Sequence, residues 1–101
     1  MRSITPKAFL RRNAMGIEYQ ITVPKEFRSQ AAKGLEEFLP ALLERLDPRA
    51  KESFPNVIVH VIPEGVFLCD TLMDQTVGSE VIRGVIDLLL RFSDSVSVSE
   101  G

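Results

Sequence analysis

A chain of 101 residues, 45% of them apolar and 26% charged, has the composition of one globular domain and is too short for two. Its net charge of -2 is unevenly spread: residues 1–14 hold Arg2, Lys7, Arg11 and Arg12 and no acid, while residues 15–101 hold all fourteen acids and the other eight bases. One cysteine excludes an internal disulfide, and the longest apolar run, Val85 to Leu90, is interrupted by Asp87 and far too short for a bilayer. No segment combines a basic start, an apolar stretch and a small-residue cleavage site, so the expected location is the cytoplasm.

The expected organisation is a basic leader over 1–14, a single α+β domain over 15–93 opening near Met15, and a serine-rich tail over 94–101. In "GIEYQITVP", Ile17, Tyr19, Ile21 and Val23 alternate with Glu18, Gln20 and Thr22, which predicts a strand with one buried face, ended by Pro24. "KEFRSQAAKGLEEFLPALLERL" follows, with Phe27, Ala31, Leu35, Phe38, Leu42 and Leu46 at helical spacing. Pro40 lacks a backbone donor and crowds the preceding turn, so a kink or a restart after Leu39 is expected. Asp47 and Pro48 suit the cap and first turn of another helical turn, which Pro55 stops.

"NVIVHVI", the turn "PEG" and "VFLCD" predict a hairpin, with Pro63 fixing an early turn position and Gly65 able to take a positive φ at its exit. Asp74, Thr76 and Ser79 compete to cap the last helix, "EVIRGVIDLLLRF", whose apolar face is Val81, Val85, Leu88, Leu89 and Phe92. The alternating "SDSVSVSEG" is either a frayed tail or an edge strand. The simplest packing of this order is a two-layer β-α-β-β-α arrangement: a three-stranded sheet with both helices on one face and the other face wet. That wet face carries Ile58, His60 and Ile62, a candidate dimer face.

His60 and Cys69 are the only pair here with nucleophile and base chemistry. A three-residue turn at Pro63, Glu64 and Gly65 pairs His60 with Leu68 and puts Cys69 on the opposite face; a four-residue turn ending at Val66 sets the two directly opposite. Neither register names an orienting third group or an oxyanion site, so no catalytic residue is assigned and no enzyme is expected. No C-x-x-C, H-x-x-x-H or dense carboxylate set suggests a metal, and no glycine-rich phosphate loop suggests a nucleotide, so no cofactor is expected. With no tryptophan and its one tyrosine on the face of Ile17 and Ile21, the chain offers no aromatic platform for single-stranded nucleic acid. The leader is the only candidate contact for phosphates.

Binding to a protein remains. Glu80, Arg83, Gly84, Asp87, Arg91 and Asp94 recur at three- and four-residue steps as a charged stripe opposite the apolar face of the last helix, with Arg83–Asp87 and Asp87–Arg91 as i,i+4 neighbours. Glu64, Asp70, Asp74 and Glu100 add acid to this half, which favours a basic protein partner.

The order of elements, the strand "IEYQITV", the long helix leading to "SFPNVIVHV" and the ending "SVSVSE" together resemble the DNA-damage-inducible protein I (DinI-like) family of bacteria, phages and plasmids, over roughly residues 16–100. That resemblance implies a strand–helix–strand–strand–helix fold without catalysis. It also implies modulation of the RecA filament in the DNA-damage response through an acidic ridge on the last helix that mimics single-stranded DNA. Carried over, the ridge is Glu80, Asp87, Asp94 and Glu100. The chain departs from the family at Arg83 and Arg91, which interrupt the stripe, at Leu89 and Leu90, where the family is polar, and at its end, which lacks the family's aromatic. Its first helix is longer and contains Pro40, and its leader has no counterpart. A homodimeric adaptor or phage- or plasmid-encoded inhibitor using the sheet face, and a nucleic-acid binder using the leader, are the alternatives.

Overall fold

The computed structural model describes residues 16–100. The basic leader over 1–14, with Arg2, Lys7, Arg11 and Arg12, and the expected start at Met15 lie outside the described residues. In chain order the elements are β1 (Ile17–Thr22), a 3-10 turn (Lys25–Phe27), α1 (Arg28–Leu46), β2 (Val57–Ile62), β3 (Gly65–Asp70), α2 (Gln75–Leu89) and β4 (Ser97–Glu100). The described residues form an α+β domain with two helices and a four-stranded sheet in the order β2-β3-β1-β4, every neighbouring pair antiparallel. No described helix is long and apolar enough to cross a membrane.

The expected three strands are therefore four. Ser93 turns the chain back after α2, its hydroxyl donating to the Ser95 carbonyl at 2.7 Å and accepting from the Ser95 amide at 3.3 Å. The serine–valine alternation then pairs with β1, Val98 opposite Ile21 and Ser99 opposite Gln20. A period of two is what a pleated edge strand needs, and of the two readings open for this end the strand is the one adopted.

One face of the sheet is buried under the helices. Ile21, Val57, Val66 and Leu68 meet Ala31, Leu35 and Leu39 of α1 and Val77, Val81, Val85, Leu88 and Leu89 of α2 in a single core. α2 starts at Asp74, whose carboxylate accepts from the amides of Thr76 at 3.0 Å and Val77 at 3.1 Å, which decides between the rival caps. α1 runs as one helix through Pro40, so of the kink and the restart expected there the restart is not found. Pro40 and Glu36 are both exposed, so the Glu36 carbonyl that loses its donor faces water, where the loss is cheap. The buried stripe of α1 runs through Gly34 and Leu39, and Phe38, expected in the core, is 37% exposed.

The hairpin corrects the expected register. Pro63 and Glu64 alone make the turn, and Gly65 (φ 155°) already belongs to β3 opposite Ile62. Gly65 is needed there because a Cβ would collide with the Ile21 carbonyl of β1. Shortening the turn by one residue turns over the face of every β3 side chain relative to the three-residue expectation. His60 pairs with Phe67 and Ile58 with Cys69.

A buried carboxylate anchors the connection into β2. Asp47, 2% exposed, accepts hydrogen bonds from the backbone amides of Arg49 (2.9 Å), Asn56 (2.9 Å) and Val57 (3.3 Å) and from the Asn56 side chain (2.8 Å). Burial alone would raise its pKa. The hydrogen bonds from Arg49, Asn56 and Val57 together outweigh that and hold the carboxyl below its ordinary value.

Candidate functional site

Among the described residues three surfaces offer chemistry: the sheet face away from the helices, the outer side of α2, and the groove between the helices.

Because strand partners share a face, Ile58, His60 and Ile62 of β2 lie with Phe67 and Cys69 of β3 on the side away from the helices. His60 and Cys69 are thus on the same face, diagonally related, and not on opposite faces as the three-residue turn implied. His60 instead stacks on Phe67, with ring centroids 6.3 Å apart and planes 23° from parallel. Burial, then the carboxylates of Glu18 and Asp70, push the Cys69 thiol above its ordinary pKa, the opposite of what a nucleophilic thiolate requires. Among the described residues no three His, Cys, Asp or Glu side chains are grouped so as to hold a metal ion. On the same face β1 contributes Glu18, Gln20 and Thr22, and β4 contributes Ser97 and Ser99. The face is therefore apolar on its β2–β3 half and polar on its β1–β4 half. Sequence alternation identified Ile58, His60 and Ile62; Phe67 and Cys69 join them only through the turn length.

On α2, Glu80 and Asp87 are exposed and stand seven residues apart, two turns along one side of the helix, with exposed Arg83 between them. The expected Arg83–Asp87 and Asp87–Arg91 ion pairs do not form; the ion pairs among the described residues that involve these helices or their connection are Arg49–Glu52 and Lys51–Glu44, each at 3.1 Å. Arg91, beyond the end of α2, places its guanidinium 5.1 Å from the centre of the Phe38 ring, which also stacks on Phe92. Asp94 follows the helix in a bend and accepts from the Ser95 hydroxyl at 3.3 Å. Glu100 lies on β4 opposite Tyr19, whose phenol is raised by burial and then by the charges of Glu100 and Asp70. Of the other acids of this half, Asp70 is buried and accepts from the Leu72 amide, and Asp74 is exposed and caps α2 through one carboxylate oxygen.

The groove between α1 and α2 has a volume of about 430 Å³ and a floor of Phe38, Leu42, Gly84 and Leu88, with Arg45, Asp87 and Arg91 at its rim. It was not legible in the sequence, because it depends on which side of each helix turns inward at the crossing.

No family model matches the chain, and no curated protein and no solved structure matches it. The resemblance to the DinI-like family therefore rests on the residues quoted for it.

Proposed function

We propose that this chain is a small non-enzymatic regulator that binds a protein through the outer side of α2, with the RecA filament as the named candidate partner. One observation carries the reading. Glu80 and Asp87 present carboxylates on one exposed side of α2 without an ion pair among the described residues, and Arg91, one of the two expected neutralisers of Asp87, is engaged over Phe38. Unpaired acid is what a surface imitating a phosphate backbone or meeting a basic partner requires. The strand–helix–strand–strand–helix order agrees with the resemblance, while β4 is an addition to it. Asp94 and Glu100 extend the acid beyond the helix rather than along it.

Co-sedimentation with RecA filaments on single-stranded DNA tests this reading. The wild type is expected to pellet saturably and Glu80→Lys/Asp87→Lys to remain in the supernatant, both folded by circular dichroism. Equal pelleting of the two, or none by the wild type at micromolar concentration, discards the assignment.

The apolar half of the sheet face favours a second reading, contact between copies of the chain around Ile58, His60 and Ile62. A monomeric wild type would remove it.

A further inference from the structure

The two edges of the sheet are unlike. β4, at one edge, has four residues, all exposed, and includes the charge of Glu100. β2, at the other, has six residues, "VIVHVI", with no Asp, Glu, Lys or Arg, no proline and no bulge in its ladder. Natural sheets guard edges with charge, proline, bulges or brevity, because an open row of amides and carbonyls templates another strand. β2 has none of these guards.

Which groups are open follows from the ladder. The Asn56 carbonyl accepts from the Thr71 amide at 3.2 Å, so the pair just before β2 is a hydrogen-bonded one. By antiparallel alternation Ile58, His60 and Ile62 also turn their amides and carbonyls to β3, while those of Val57, Val59 and Val61 turn outward. The Val57 amide is already held by Asp47 at 3.3 Å. That contact takes up the Val57 amide and leaves its carbonyl open. Among the described residues, Val59 and Val61 are therefore the positions of this edge at which both the amide and the carbonyl are open.

We propose that a second copy of this chain adds to this edge, β2 against β2 and antiparallel, with the two-fold axis at His60. Val59 of each copy then exchanges both hydrogen bonds with Val61 of the other, which pairs the amide and the carbonyl of both residues on each chain. Val57 faces Pro63 of the other copy, where that chain turns away and has no amide to offer. An axis at Val59 would instead run the partner strand past Val57, where Asp47 stands. The His60 axis keeps the faces in register: Ile58 meets Ile62, His60 meets His60, and the apolar half of each outer face continues into the other. Two four-stranded sheets become one of eight with the helices all on one side, an isologous arrangement that buries the vulnerable edge. Val61, 53% exposed, gains cover. This interface is separate from the acid side of α2 and does not depend on that reading.

Sedimentation equilibrium on the full chain tests it. The wild type is expected to have twice the 11.3 kDa chain mass at micromolar concentration. Val61→Lys, which blocks the approach of a strand at an exposed position, and Val61→Pro, which deletes an amide the β2–β3 ladder does not use, are each expected to raise the dimer dissociation constant by about tenfold or more while circular dichroism is unchanged. Val61→Lys carries the test if the proline variant does not fold. For the axis, His60→Cys in a Cys69→Ser background sets two thiols in a non-hydrogen-bonded pair with Cα atoms roughly 4.5 Å apart, within disulfide range. It should cross-link on mild oxidation, and Ile58→Cys in the same background should not. A monomeric wild type, or a dimer indifferent to both Val61 variants, overturns the proposal. A dimer that cross-links at position 58 and not at 60 overturns the placement of the axis.

Discussion

Replacing Asp47 with alanine removes the acceptor that joins the end of α1 to the start of β2. Four hydrogen bonds to a carboxylate that is 2% exposed are lost. The Arg49 amide sits in a half-buried turn and can be taken up by water, so its share is small. The Asn56 side chain and the amides of Asn56 and Val57 are buried, and each is left unsatisfied at a cost of about 1–3 kcal/mol, less than additively. The expected loss is about 3–5 kcal/mol, a large part of the roughly 5–15 kcal/mol that holds a domain of this size together. Urea unfolding followed by circular dichroism should show a lower midpoint at unchanged slope. Asp47→Asn, which keeps one acceptor but sets an amide donor against donors, should fall between the two. The pH dependence is a second readout. The folded carboxyl titrates below its ordinary value of 3.8, so its contribution is fully present above that value and is lost as the pH falls through the lower, folded one. The wild type and Asp47→Ala should converge in acid. A cost under about 1 kcal/mol, or a gap that stays constant from neutral pH down to acid unfolding, would refute the reasoning.

Two further outcomes follow from particular contacts. Gly34 lies where α1 meets the Phe92 ring, and a Cβ there would overlap it, so Gly34→Ala should cost about 1–3 kcal/mol by thermal unfolding and be partly rescued by Phe92→Leu. Cys69 should alkylate with a pH midpoint above the ordinary thiol value of 9.0 because of burial first, then Glu18 and Asp70; Glu18→Gln should lower that midpoint, and an unchanged midpoint would rule out the Glu18 contribution.

What the sequence made legible is what short-range periodicity encodes. The alternation from Ile17 to Val23 and the stripe from Val81 to Leu89 each describe one element with one buried face, and both are found. The hairpin face was harder, because one residue more or less in the turn at Pro63 reverses every side chain of β3. Pro40 left a restart open because propensity cannot tell that the residue whose carbonyl it orphans, Glu36, is exposed. Asp47 read as a local cap, which it is through the Arg49 amide, but its stronger role depends on Asn56, nine residues on. The open β2 edge was present in "VIVHVI", which lacks Asp, Glu, Lys and Arg, yet only the strand order shows that this run lies at an edge rather than in the middle of the sheet.

The most direct test of the proposed function is the sign of the response to charge on α2. Filament affinity should be measured by fluorescence titration of RecA on single-stranded DNA with the wild type, Arg83→Gln and Asp87→Lys. The account predicts tighter binding when Arg83 loses its charge and abolished binding when the charge of Asp87 is reversed, because the same acid surface is made more negative in one variant and less in the other. Binding that is absent in all three, or that moves in the same direction in both variants, contradicts it.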